Sequence, residues 1–289
     1  MIIGFLGLGN MGGPMAANLV AHGYQVDGYD PLPQAGAEGV HRVPGAAEAV
    51  READVVVTML PSGRHVLECY AEILPALKPG VLLIDSSTID VADARAAAGL
   101  AAAAGHRAVD APVSGGVVGA AAGTLTFMAG GPAESVDVAE PVLLAMGSRV
   151  VRCGDTGSGQ AAKICNNMIL GVSMIAVAEA FALGRALGLT DQALFDVAST
   201  SSAQCWALNT NCPVPGPVPT SPANRDYAGG FASGLMLKDL GLADETARRH
   251  GVDTAFGRAA FDAYRRFVEH DGPGRDFSAI VTTLRKDRA

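Results

Sequence analysis

Short apolar runs alternate with alanine-rich stretches through the first half of this 289-residue chain, and no other feature restricts its fold as strongly. Several runs are almost continuously apolar, which is typical of strands buried on both faces of a parallel sheet. The alanine-rich stretches suit helices that cross from one strand to the next. The predicted strands are 2–6, 25–29, 55–60, 81–84, 107–109, 125–128 and 149–151, and the predicted helices are 11–21, 46–53, 65–77, 91–104 and 133–146. The pattern predicts an α/β domain with a doubly wound, mainly parallel sheet.

Helical patterns follow one another after Gly157, with no convincing strand among them. The stretch 161–187 is long and mostly apolar, so we expect a central helix that is buried almost all round and joins the two halves. The proline-rich run 212–219 is expected to form an extended loop. Further helices are predicted at 235–249, 255–270 and 277–284. Because the length also favours two units, we predict a first domain of residues 1–160 and an all-helical second domain of residues 161–289.

The composition excludes several classes of protein. A net charge of -8 without a run of basic residues argues against a nucleic-acid surface. The five cysteines form no CxxC and the six histidines no metal-binding spacing, so neither a disulfide framework nor a metal site is predicted. The first residues lack the features of a signal peptide, and polar residues interrupt each apolar run before the ~20 residues of a membrane span. We expect a compact cytoplasmic protein without a nucleic-acid or membrane partner.

A glycine-rich turn, Gly7-Leu8-Gly9-Asn10-Met11-Gly12, joins the first predicted strand to the first predicted helix. In a G-x-G-x-x-G of this kind, Gly7 makes the turn, Gly9 lets a pyrophosphate approach the backbone, and Gly12 lets helix and strand pack closely. Asp30 closes the second strand about 20 residues later, in reach of a ribose 2′-hydroxyl. The turn and its flanks predict a Rossmann-type domain that binds a dinucleotide.

The second strand end bears on which dinucleotide is bound. Asp30 would repel a 2′-phosphate and no arginine follows it in 31–34, so NAD is favoured over NADP. Asp30 also fits a simple turn before a proline. Ligands of open α/β sheets sit at the carboxyl ends of strands, so Leu60, Pro61 and Thr88 are expected to line the same crevice. Thr88 can bond the nicotinamide ribose or cap the following helix, and the sequence leaves both open.

A lysine and a carboxamide lie four residues apart in a helical segment that opens with glycines. On a helix, Lys163 and Asn167 project from one face, one turn apart, so both can reach one bound molecule. An amine can move a proton and an amide can hold an oxygen. A helical lysine is more often a solvated surface residue, and the surroundings must decide.

Four ordered motifs resemble those of the β-hydroxyacid dehydrogenases, and most closely the 3-hydroxyisobutyrate dehydrogenases. The likeness covers nearly the whole chain. The motifs are 7–12, 110–116 with 123–126, 157–167 and 238–243. Three further stretches resemble the 3-hydroxyisobutyrate dehydrogenases in particular, namely 201–206, 213–216 and 226–231. The resemblance implies an NAD-dependent oxidoreductase that acts on a small 3-hydroxy acid and assembles as a homodimer or homotetramer.

The resemblance also implies roles for the reacting end of the site. The expected reaction oxidises 3-hydroxyisobutyrate to methylmalonate semialdehyde in valine breakdown, with the hydride passing to NAD. Lys163 is then the general acid/base, which a desolvated site would favour by disfavouring the ammonium. Asn167 holds the substrate oxygen beside it. Ser114, Gly115 and Gly116 offer a hydroxyl and successive N–H groups to the carboxylate, although the same residues can form an ordinary turn.

Further roles follow from the second half of the chain. The resemblance places Lys238 close to the cofactor, with Asp239 supporting it. Trp206 and Phe231 are candidate walls for the apolar part of the substrate, although Trp206 equally fits a core position. The pair 211–212 reads Asn-Cys where this branch usually has Tyr-Asn, so the pocket differs in detail.

Other functions stay open at this level. Sibling reactions on the same machinery are L-serine oxidation and tartronate semialdehyde reduction. Imine reductases are related, and Lys163 argues against them. A third alternative is a protein that binds NAD without turnover.

Overall fold

The computed structural model describes residues 1–284, which form two compact units divided between Lys163 and Ile164. The strands of the first unit are β1 Ile2–Leu6, β2 Gln25–Tyr29, β3 His41–Arg42, β4 Val55–Thr58, β5 Leu82–Asp85, β6 Arg107–Asp110, β7 Val113–Ser114, β8 Leu125–Gly130 and β9 Gly147–Gly154. Its helices are α1 Gly12–Ala21, α2 Ala46–Val50, α3 Gly63–Ile73, α4 Val91–Ala103, α5 Gly116–Ala122 and α6 Ala133–Met146, with a 3-10 turn at Leu74–Ala76.

The strands form one sheet that confirms the predicted fold class. Among the described residues its order is β3-β2-β1-β4-β5-β6-β8-β7, and β9 pairs with β8. Neighbouring strands are parallel from β3 to β6, whereas β8 is antiparallel to β6 and β7. With its crossover helices this is the doubly wound, mainly parallel sheet that the alternating pattern predicts.

Both faces of this sheet are covered. Val55 and Val57 of β4 belong to one hydrophobic cluster, while Val56 belongs to another together with Leu83. Successive side chains of a strand point to opposite faces, so the two clusters lie on opposite sides of the sheet. This explains why the strand sequences are apolar without alternation.

Three short elements of the first unit are not predicted by the sequence pattern. β3 and β7 have two residues each, too few for a hydrophobic period to be recognised. The helix α5 is rich in glycine and alanine and starts directly after Gly115, whose φ is 137°. Such a backbone conformation favours glycine, and it lets β7 turn into α5 without a longer loop.

The second unit is helical. It contains most of α7 Ser158–Ala186, then α8 Asp191–Ala198, α9 Trp206–Asn209, α10 Ser233–Arg249 and α11 Ala255–Asp271, with 3-10 segments at Pro222–Arg225 and Phe277–Leu284. The segment predicted as a helix at 277–284 is thus a 3-10 helix. The last five residues of the predicted 161–289 domain lie outside the described residues.

The prediction that the long helix α7 is buried almost all round is wrong. Asn167, Gly171 and Met174 are buried, but Ile169 and Leu183 are 63% and 62% exposed. The buried positions recur at helical spacing, so one stripe packs into the unit and the opposite stripe is open. The mostly apolar sequence of α7 does not separate these two faces.

One helix among the described residues, α7, is long and apolar enough to cross a membrane, with a mean hydropathy of 1.7 in its most apolar stretch. The expectation that polar residues keep every apolar run below that length is therefore wrong for this helix. Length and composition alone are weak evidence for a membrane span, because the core helix of a folded domain shares both.

A buried carboxylate, Asp85, ends β5. Its Oδ1 accepts hydrogen bonds from Thr58 Oγ1 at 2.7 Å, Ser87 Oγ at 2.6 Å and Ser87 N at 3.2 Å, whereas Oδ2 has no partner among residues 1–284. Burial raises the pKa of Asp85 from 3.8 to about 6, against the lowering effect of these hydrogen bonds. The ionised carboxylate therefore costs folding free energy at neutral pH.

We expect Asp85→Asn to raise the free energy of unfolding by roughly 1–3 kcal/mol at pH values above the folded-state pKa. Since that pKa is raised, this carboxylate lowers the stability of the wild-type protein as the pH rises through the window between 3.8 and about 6. The gain from the neutral amide should vanish near the lower end of this window, where Asp85 is protonated. Urea unfolding of both proteins across the window measures this, and a gain that does not change with pH would contradict it.

Candidate functional site

The glycine-rich turn has the geometry that the dinucleotide fingerprint requires. Gly7 has a φ of 96°, and a methyl group at Gly12 would lie 1.8 Å from the carbonyl oxygen of Gly7. A methyl group at Gly9 would meet no atom within 4 Å. The first helical turn is therefore packed against the strand at Gly12, while the backbone at Gly9, next to Asn10 and Met11, faces open space where a phosphate can approach.

Asp30 lies at the end of β2 and is 8% exposed. Its Oδ2 accepts a hydrogen bond from Leu8 N at 2.8 Å, and its Oδ1 accepts one from Leu32 N at 2.8 Å. The bond from Leu32 N closes the turn before the proline-containing segment, which the sequence left open as an alternative role of Asp30. The bond from Leu8 N ties the carboxylate to the glycine-rich loop. Each oxygen keeps a lone pair for a further donor, so the turn and a ribose contact are compatible.

The strand ends that follow are joined by hydrogen bonds. Leu60 N donates to Ser87 Oγ at 2.8 Å, and Ser87 Oγ donates to Asp85. Thr88, next to Ser87, does not cap the following helix: Asp90 is the N-cap of α4 and accepts from Ala92 N at 2.7 Å. The capping alternative for Thr88 is therefore wrong. Pro61 is exposed directly after Leu60.

Helix α7 begins on a carboxylate of the sheet. Asp110, the last residue of β6, accepts from Gly157 N at 2.7 Å and from Gln160 N at 2.9 Å. A methyl group at Gly159 would lie 2.2 Å from the carbonyl oxygen of Met128, so only glycine allows this close approach of helix and sheet. These bonds satisfy N–H groups of the first turn that have no partner within the helix.

The side chain of Gln160 fixes the same turn to the loop after β5. It is fully buried, its Nε2 donates to Ser87 O at 2.7 Å, and its Oε1 accepts from Ile89 N at 3.1 Å. The two bonds bracket Thr88. Lys163 follows three residues later on the same helix and is 7% exposed, so it is not a solvated surface lysine.

The predicted carboxylate cradle lies at the start of α5 in the same unit. Ser114 ends β7 and is partly buried, while Gly115 and Gly116 have φ values of 137° and 61°. Both glycines therefore adopt backbone conformations that other residues rarely take. The segment is a strand-to-helix junction rather than a free loop.

In the second unit, three predicted site residues meet at one carboxylate. Asn167 Nδ2 donates to Asp239 Oδ2 at 2.5 Å, and Lys238 Nζ lies 3.8 Å from Asp239 Oδ1. Asn167 Oδ1 accepts from Asn166 Nδ2 at 2.9 Å. Asn167 and Asp239 are 2% and 4% exposed. These bonds orient the Asn167 amide, and its second N–H can still donate to a ligand.

The two candidate pocket walls, Trp206 and Phe231, are brought together by a third ring. Trp206 stacks on Phe277 with centroids 6.5 Å apart, and Phe231 meets Phe277 edge-on at 5.8 Å. Trp206 is 52% exposed, so the alternative interpretation that it fills the core is wrong. The buried Asp276 accepts from Phe231 N at 2.7 Å and from Asn211 Nδ2 at 3.0 Å. Asn211 thus helps to hold one of these proposed walls through Asp276.

Four residues with structural influence on these sites were missed by the sequence analysis. Asp110 and Gln160 lie inside recognised motifs and Asp276 lies outside them, and each of the three has a hydrogen-bond partner more than 40 residues away in sequence. The fourth, Arg42, donates from Nη2 to the carbonyl oxygens of Asp30 and Leu32. The described part of the chain contains no group of three or more His, Cys, Asp or Glu residues that could hold a metal ion.

Two family models match the chain. Residues 2–154 match the NAD binding domain of 6-phosphogluconate dehydrogenase. Residues 157–284 match a domain described as NAD-binding of NADP-dependent 3-hydroxyisobutyrate dehydrogenase. Together they account for nearly the whole chain.

Individual relatives agree with these matches. A probable 3-hydroxyisobutyrate dehydrogenase of Mycobacterium tuberculosis is 54% identical over 98% of this chain and 97% of its own. An NAD-dependent L-serine dehydrogenase of Pseudomonas aeruginosa is 44% identical over 96% of both chains. A solved structure of the M. tuberculosis 3-hydroxyisobutyrate dehydrogenase with L-serine has a TM-score of 0.95 and 53% identity, and each chain covers 99% of the other.

Matches of this extent confirm the resemblance read from the four motifs. The chain belongs to the β-hydroxyacid dehydrogenase family, as an NAD-dependent oxidoreductase similar over nearly its whole length to 3-hydroxyisobutyrate dehydrogenases.

Proposed function

We propose that this protein oxidises 3-hydroxyisobutyrate to methylmalonate semialdehyde with NAD as the hydride acceptor, a step of valine breakdown. The observation that carries the proposal is the buried Lys163, 7% exposed, on a helix whose first turn is bonded to the strand-end loop around Thr88. The names of the relatives point to the same substrate.

The proposed chemistry moves one hydride and one proton. The bound NAD supplies the acceptor for the hydride that leaves the hydroxyl-bearing carbon. The neutral amine of Lys163 accepts the hydroxyl proton, so that the C–O bond becomes a carbonyl, and the ammonium returns the proton in the reverse direction. Burial of Lys163 supports this role because it removes the water that would stabilise a permanent ammonium.

Other residues hold the reactants. Asn167, oriented by Asp239, is proposed to donate its second N–H to the substrate oxygen. The Ser114 hydroxyl and the N–H groups of Gly115 and Gly116 are proposed to bind the carboxylate without adding a charge. Lys238 is proposed to lie close to the cofactor. For the cofactor itself we propose contacts with 7–12, Asp30, Leu60, Pro61 and Thr88.

A second candidate substrate is L-serine, which differs in carrying an ammonium and lacking the methyl group. One relative is named an L-serine dehydrogenase, and one solved relative is described with L-serine. The apolar pair Trp206 and Phe231, proposed as a wall of the pocket, favours a methyl group over an ammonium.

The experiment that tests the function is a side-by-side assay of 3-hydroxyisobutyrate, L-serine and glycerate with NAD, and of tartronate semialdehyde with NADH. We expect the highest kcat/KM for 3-hydroxyisobutyrate. In a second experiment, Lys163→Ala is expected to lower kcat by at least ~10²-fold while the affinity for NADH stays nearly unchanged. Lys78→Ala is the matched control, since Lys78 is a surface lysine of the same unit. Near-wild-type turnover of Lys163→Ala would refute the role of the lysine. A higher kcat/KM for L-serine than for 3-hydroxyisobutyrate would refute the proposed substrate.

We further propose a cytoplasmic homodimer or homotetramer. All five cysteines are free, which suits a reducing compartment. On α7, Ile169, Ala176, Ala180 and Leu183 form an exposed stripe at helical spacing. A second copy of the chain that covered this stripe would remove apolar surface from water.

Leu183→Glu is expected to lower the native mass, because it places a charge at one end of that stripe. Light scattering after size exclusion measures the mass. Val138→Glu, at an exposed position of α6 in the first unit, is the control and should leave the mass unchanged. An unchanged mass in Leu183→Glu would exclude this face as the interface.

A further inference from the structure

An arginine of the edge strand reaches the turn where the adenosine ribose is proposed to bind. β3 pairs in parallel with β2, with Arg42 opposite Gly28. From there Nη2 of Arg42 donates to the carbonyl oxygen of Asp30 at 2.7 Å and to that of Leu32 at 2.8 Å. Arg42 thus clamps both ends of the turn that Asp30 opens.

The guanidinium is bonded to carbonyl oxygens and not to the carboxylate of Asp30. The two oxygens of that carboxylate accept from Leu8 N and Leu32 N. Both bonds of Arg42 come from one nitrogen, and a guanidinium has five N–H donors. Within residues 1–284, the remaining donors of Arg42 make no hydrogen bond, and the side chain is exposed. A cation with spare donors therefore lies beside the acidic ribose site.

We propose that Arg42 is the second determinant of cofactor choice, next to Asp30. In the wild-type protein Arg42 braces the 30–32 turn so that the carboxylate faces the 2′-hydroxyl of NAD, and the negative charge of Asp30 excludes a 2′-phosphate. Once that charge is removed, the spare donors of Arg42 bind the 2′-phosphate of NADP. The inference rests on the proposed placement of the ribose at Asp30.

The charges of Asp30 and Arg42 together bear on whether NADP can bind, and Arg42 lies outside the segment after the second strand where the sequence motif is read. An arginine that accepts a 2′-phosphate usually follows the second strand closely, and 31–34 contains none. Arg42 supplies the same group from the neighbouring parallel strand, 12 residues after Asp30 in sequence. On this proposal, the carboxylate of Asp30 is the group in this region that opposes a 2′-phosphate.

The test is a double-mutant cycle of Asp30→Asn and Arg42→Met, with dissociation constants for NADH and NADPH measured by nicotinamide fluorescence. Asn removes the charge and keeps one acceptor for the turn. We expect Asp30→Asn to tighten NADPH relative to NADH by about tenfold or more, and the added Arg42→Met to abolish that gain. Arg42→Met alone should weaken NADH a few-fold and leave NADPH weak. Arg51→Met, an exposed arginine of the same unit, is the control for loss of one surface charge.

Two results would overturn the inference, and they are distinguishable. If Asp30→Asn binds NADPH equally well with and without Arg42, the role of Arg42 is wrong while the ribose placement stands. If Asp30→Asn leaves the ratio of the two affinities unchanged, the ribose placement fails as well. Neither result depends on a substrate, so the proposed oxidation of 3-hydroxyisobutyrate is tested separately.

Discussion

The proposed site depends on the hydrogen bonds that the carboxylate of Asp110 accepts from the start of helix α7. Asp110 ends a buried strand and accepts the N–H groups of Gly157 and Gln160, so the long helix starts at a fixed point of the sheet. Burial raises the pKa of Asp110, and these hydrogen bonds oppose the rise. The approach is possible because Gly130 and Gly159 carry no side chain at the junction: a methyl group on Gly130 would lie 2.6 Å from Gly159 N.

Gln160 extends this anchor to the cofactor side of the proposed site. Its amide bonds both Ser87 O and Ile89 N, and Ser87 in turn binds Asp85 and Leu60 N. The strand-end residues proposed to line the cofactor and the first turn of the lysine helix thus belong to one buried network. The hydrogen bonds of Gln160 and Ser87 fix these segments relative to one another, and a fixed arrangement of this kind would hold the proposed proton acceptor at a set distance from the hydride acceptor.

Local patterns predicted much of this arrangement. The glycine-rich turn and the alternation of strand and helix are short-range features, and helical spacing was enough to predict that Lys163 and Asn167 lie one turn apart on the same helix. The long-range partners were not predictable, because Asp110 and Gln160 are 50 residues apart in sequence, and Asn167 and Asp239 are 72 apart. Arg42 escaped notice because its strand has only two residues. The exposed stripe of α7 was misjudged because an apolar composition does not distinguish a buried face from an exposed one.

The most direct test of the central claim is the turnover of Gln160→Met, which keeps the length of the side chain and removes both bonds to the 87–89 loop. Comparison with Gln34→Met, at an exposed position, controls for the substitution itself. If the network positions Lys163, kcat should fall about tenfold or more while circular dichroism and the dissociation constant for NADH stay near wild type. A folded Gln160→Met protein with wild-type kcat would contradict the account.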